Sequence, residues 1–69
     1  MELRFTIELD REDDGRFIAE VRELPGALAY GATEAEAIAK VKAVALQILA
    51  GEIEAGERDL AKLSFDVAA

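Results

Sequence analysis

The sequence predicts an α+β domain: a three-stranded antiparallel meander, one helix packed on the sheet, and a fourth strand. Three observations carry that expectation. Leu3, Phe5, Ile7 and Leu9 alternate with Arg4, Thr6, Glu8 and Asp10, the period of two that puts one face of a strand on a core and the other in water. After Thr33 the period changes, and Ala37, Ile38, Val41, Val44, Ala45 and Ile48 share one face of a helix. From Leu60 the period of two returns, with Leu63, Phe65 and Val67 on one side and Ser64 and Asp66 on the other.

The first strand runs into Arg11-Glu12-Asp13-Asp14-Gly15, an all-polar stretch closed by Asp-Gly, which is a strong hairpin signal. Residues 16 to 23 should therefore return antiparallel to it, with Phe17, Ala19 and Val21 inward and Ile18 on the other face beside Glu20 and Arg22. Pro25-Gly26 reads as a type II turn, since proline fixes φ at the second position and glycine accepts the left-handed third. A short third strand follows, Ala27 to Tyr30, and Gly31-Ala32 breaks it. Thr33 with Glu36 forms a capping box that satisfies orphan amides in both directions and opens the helix. The spacing predicts a helix over 34 to 50, with Glu34 and Glu36 in the first turn, a Glu36–Lys40 pair, and Gly51 as the stop. Residues 52 to 59 read as a loop, with a frayed extra turn of helix as the alternative.

A strand–helix–strand connection crosses over with right-handed sense and leaves its strands parallel. The first strand already runs parallel to the third, so the fourth pairs beside the first in the spatial order 3-2-1-4. Strands three and four become the edges, and strand three carries little charge to guard its edge against another chain.

The chain's 69 residues make a single domain over 1–69, near the lower limit for a stable core, so a homo-oligomer (dimer or tetramer) is expected. Fifteen acidic against eight basic residues leave a net charge of −7, which argues against direct nucleic-acid binding and for a basic protein partner. With no cysteine and no histidine there is no thiol nucleophile, disulfide, soft metal site or imidazole for acid–base chemistry. No cofactor or metal is expected. No apolar run approaches the ~20 residues that span a bilayer, and no signal sequence precedes the first strand, so a cytoplasmic protein is expected. The lack of asparagine, the single glutamine and the abundance of Glu, Arg and Ala lean towards a thermophilic source, although a GC-rich genome gives much the same bias.

Four carboxylates, Glu8, Asp10, Glu20 and Asp66, fall on the solvent face of the sheet and invite a test for a two-metal nuclease, which needs carboxylates converging on two ions. The simpler reading is a solvated sheet surface. No nucleophile–base pair, phosphate loop or metal-ligand spacing accompanies them, and no enzymatic activity is expected. Glu8, Glu20 and Glu23 form a candidate acidic face for a basic partner. Tyr30, the sole tyrosine, is either a rim residue with a wet hydroxyl or a partner contact. On the helix, Ala35, Leu46 and Leu49 make a second apolar shoulder around Lys42, read either as deeper burial under the tail or as a subunit interface along which Lys42 lays its methylenes.

Glu23-Leu24-Pro25-Gly26-Ala27, then Gly31, then Thr33-Glu34-Ala35-Glu36-Ala37, preceded by Asp14-Gly15-Arg16-Phe17-Ile18-Ala19, resembles the HicB-like antitoxin domain over about residues 3 to 50. The order and spacing of these pieces carry the resemblance. It implies a partial ribonuclease H-like sheet and a binding function, the occlusion of the active site of a small basic ribonuclease toxin of the HicA-like kind. The alternative is a stand-alone oligomeric adaptor with the same fold and no cognate toxin. Arg22 stands where the family often has proline, Ala27 where it commonly has cysteine, and Ala29 and Ala32 where polar or acidic residues are usual. Longer antitoxins add a C-terminal DNA-binding domain, and none is expected within 1–69.

Overall fold

The alternation at the start of the chain becomes β1 (Glu2–Arg11), in which Phe5 and Ile7 are buried while Glu8 and Asp10 are exposed. β2 (Phe17–Val21), β3 (Leu28–Gly31), α1 (Glu34–Glu54) and β4 (Lys62–Val67) follow in a computed structural model that describes residues 2–68. The four strands form one mixed sheet in the order β3-β2-β1-β4. β2 is antiparallel to both β1 and β3, and β4 is parallel to β1, as the connection through a helix requires. No helix among the described residues is long and apolar enough to cross a membrane.

The turns form where their chemistry places them. Glu12 N donates to Arg16 O at 2.7 Å and Gly15 N to Glu12 O at 2.9 Å, leaving a three-residue tip whose Gly15 takes φ +91°. At the second turn Ala27 N donates to Leu24 O at 3.0 Å with Gly26 at φ +90°, the left-handed third position of a type II turn. Leu24 and Ala27 on either side are both buried, which anchors that turn in the core. Thr33 caps α1, its hydroxyl accepting from Glu36 N at 3.1 Å. The Glu36 carboxylate reaches back past the capping residue and accepts from Ala32 N at 3.4 Å, while also pairing with Lys40 at 3.1 Å.

The helix does not stop at Gly51. It continues for one more turn to Glu54, so part of the expected 52–59 loop is helical. A mid-helix glycine costs only about 1 kcal/mol against alanine, and a better stop lies just beyond. Gly56 takes φ +74° and donates to Ile53 O at 3.1 Å, while Glu57 N donates to Glu52 O at 2.9 Å, the paired bonds of a Schellman motif. A half-buried Arg58–Glu52 pair at 2.8 Å holds the chain as it leaves the helix.

The helix lays Ala37, Val41, Ala45 and Leu49 into the core, with Ile38, Val44 and Ile48 half-buried beside them. Leu49 is only 1% exposed, so it is a core residue and does not belong to an outward oligomer shoulder. The reason is geometric: Leu49 lies one turn beyond Ala45 on the line 37, 41, 45. Lys42 is also engaged within the chain, its Nζ standing 5.8 Å from the Phe65 ring centroid on β4. Of that shoulder only Ala35 and Leu46 are exposed.

α1 packs mainly on β3 and β2 and barely on β1. It comes so close to β3 that a Cβ on Gly31 would sit 2.5 Å from Ala37 N. β3 accordingly turns its small residues, Ala29 and Gly31, to the helix and its large ones, Leu28 and Tyr30, outward. Gly31→Ala should therefore destabilise the protein by about 1–3 kcal/mol, read as a lowered urea midpoint, because backbone on both sides must give way. Leu49→Ala should cost about 2–5 kcal/mol and Leu46→Ala less than about 0.5 kcal/mol in the same measurement. Equal effects at the two positions would contradict this placement of the helix.

Candidate functional site: the outer face of the sheet

The face of the sheet away from α1 collects the side chains that point out of each strand. In the β1–β2 register Glu8 stands directly opposite Glu20 and Asp10 opposite Ile18, and across β2–β3 Ile18 faces Tyr30 and Glu20 faces Leu28. Glu8, Asp10, Glu12 and Glu20 line a shallow depression with Ile18. Like charges facing each other across a sheet are mutually destabilising. One of them is offset by Arg22, whose Nε lies 3.0 Å from Glu8 Oε1. Among the described residues no cation pairs with Glu20, and Asp10 accepts only from the neighbouring Arg11 N, at 2.8 Å.

Beside this acidic depression lies an apolar strip. Leu28 and Tyr30 are 41% and 38% exposed, with half-buried Ile18 next to them. The Arg16 guanidinium carbon stands 4.4 Å from the Tyr30 ring centroid, a cation–π stack at the edge of the strip. Asp14 fixes that arginine, one carboxylate oxygen accepting from Arg16 N at 3.0 Å and the other from Nε at 2.7 Å. These hydrogen bonds, the backbone one foremost, hold the Asp14 carboxyl below its ordinary pKa.

Three of the residues singled out from the sequence, Glu8, Glu20 and Tyr30, thus share one face. Glu23 does something different. Where β2 ends, its carboxylate takes over from the missing strand, accepting from Thr6 N at 2.8 Å and Thr6 Oγ1 at 3.0 Å. It thereby caps β1 where β2 leaves off, while its side chain stays exposed. Leu28 was not singled out, yet the period of two that places Tyr30 outward places Leu28 outward with it. Asp66 sits beside Thr6 on the far side of β1 from β2, so the four carboxylates of a two-metal site do not converge. Among the described residues no group of three or more possible ligands is arranged to hold a metal ion.

The hydrogen bond from Thr6 N lowers the Glu23 pKa from its ordinary 4.5. A carboxylate with a depressed folded-state pKa contributes stability above the unfolded value, and that stability disappears as pH falls through the folded one. Glu23→Gln should therefore be less stable than the parent at pH 7, and the difference should shrink once the pH drops below 4.5. Denaturant midpoints of both proteins across that range check it. A gap that is constant with pH would mean that the charge on Glu23 plays no part.

Comparison with family models, with curated proteins and with solved structures gives no match for this chain.

Proposed function

We propose that this chain is a HicB-like, antitoxin-type binding protein, which neutralises a small basic ribonuclease of the HicA-like kind by covering its active site in the cytoplasm. The observation that carries the reading is the outer sheet face, where carboxylates from β1, the hairpin and β2 surround Ile18 beside exposed Leu28 and Tyr30. A desolvated aromatic and aliphatic centre with a charged rim is the composition of a protein-binding patch. A ribonuclease presents cationic side chains where it holds RNA phosphates. Glu8 and Glu20 would compete for those cations, and the net charge of −7 would speed the encounter. The HicB-like motif order supports the reading by resemblance, and the strand order β3-β2-β1-β4 is compatible with it.

The stand-alone adaptor remains the second reading, favoured by the uncharged edge of β3. The two separate on one experiment. Against a panel of small basic ribonuclease toxins, the parent protein should form a defined complex and suppress RNA cleavage. The double reversal of Glu8→Lys with Glu20→Lys should weaken binding by tenfold or more, and Glu54→Lys on the exposed end of α1 should leave it nearly unchanged. Absence of any complex across the panel, or equal affinity of the double reversal, would contradict the antitoxin reading.

A further inference from the structure

The acidic face accounts for Glu8 and Glu20 but not for the edge strand next to it. Residues 27 to 32, Ala-Leu-Ala-Tyr-Gly-Ala, carry no charge, whereas β4, the other edge, carries Lys62 and Asp66. Charges on an edge strand are the usual guard against pairing with another chain. By the alternation of an antiparallel ladder, the Val21 N to Ala27 O bond at 2.9 Å makes Ala29 and Gly31 the residues bonded to β2. The N–H and C=O of Tyr30 and the C=O of Leu28 then point away from the sheet.

We infer that β3 is a homodimer edge, pairing antiparallel with β3 of a second copy about a two-fold axis at Ala29, so that two sheets become one of eight strands. The partner is a second copy because of charge. Two chains of net charge −7 repel each other least where the facing surface is neutral, and β3 itself carries no charged residue, while the Arg16 on its Tyr30 ring is paired with Asp14. A basic partner would instead be drawn to the carboxylates on the outer face. In this register Leu28 lies opposite Tyr30 of the second copy, and the two exposed pairs join into one apolar cluster across the axis.

The helix supports the same arrangement. Because α1 lies over β3 and β2, strand spacing of about 4.8 Å places the two helices about 10 Å apart, the separation at which helices pack. Val44 and Ile48, half-buried and on the same side of α1 as Ala37, then meet their counterparts. The interface therefore closes on three levels: backbone edge, outer apolar strip and helix pair. It is isologous and leaves no β3 edge open for further growth. It does not depend on the toxin-binding reading, since it can be measured with the purified protein alone.

Light scattering coupled to size exclusion should give twice the 7.4 kDa of one chain. Tyr30→Pro removes the outward N–H without touching a bond to β2, and should halve that mass while leaving the far-ultraviolet circular dichroism unchanged. The chain has no cysteine, so Ala29→Cys supplies a single thiol. At a non-hydrogen-bonded antiparallel pair the two Cα atoms stand about 4.5 Å apart, within disulfide reach. Mild oxidation should cross-link Ala29→Cys into a covalent dimer and leave Ala61→Cys, in the loop before β4, uncrosslinked. A monomer at every concentration would overturn the inference. So would a dimer that survives Tyr30→Pro and fails to cross-link through Ala29→Cys, because another face would then hold it together.

Discussion

The close approach of α1 to β3 is the constraint on which the rest of the structure depends. Gly31 lets the helix backbone at Ala37 come within the distance that any side chain would occupy. With that contact set, β3 keeps its small residues, Ala29 and Gly31, towards the helix, and Leu28 and Tyr30 face outward. The helix is held over β2 and β3, so the inner face of β4 is left for Lys42 to cover with its stem and ammonium against Phe65.

The same economy appears at the sheet's polar edge. β2 stops at Val21 because the chain must enter the turn that buries Leu24, and a β1 amide would be left without a strand partner. Glu23 supplies the missing acceptor, at 2.8 Å from Thr6 N. An unpaired backbone donor is costly, so this carboxylate is fixed by folding before any partner is considered. Glu20, two residues before Arg22, makes no such bond among the described residues and stands exposed on the outer face.

The sheet and its order were legible in the sequence because alternation, the Asp-Gly hairpin, the Pro-Gly turn and the Thr33 cap all specify local geometry and agree with one another. The helix end was misjudged because Gly51 carries a stop signal only if no stronger one follows, and the Schellman pair at Gly56 depends on hydrogen bonds that a single glycine does not announce. For Leu49 the sequence leaves both deeper burial and an outward shoulder open, because a wide apolar stripe does not reveal which of its lines is central, and the structure buries it. Glu23 looked like one more surface acid, since its partner at Thr6 is seventeen residues away in sequence. The outer face was legible in its parts, since strand period gives both the acidic row and the outward Leu28 and Tyr30, whereas their placement beside one another required the pairing of β2 with β1 and β3.

The central claim is that recognition belongs to the outer face of the sheet and not to the helix. Titrating the isotopically labelled protein with a small basic ribonuclease, and following backbone amide shifts by nuclear magnetic resonance, tests it most directly. The account predicts that the amides of Glu8, Asp10, Ile18 and Glu20 move first and furthest, with the exposed side of α1 around Ala43 and Gln47 still. Perturbations confined to that side of the helix, with the sheet unmoved, would contradict it.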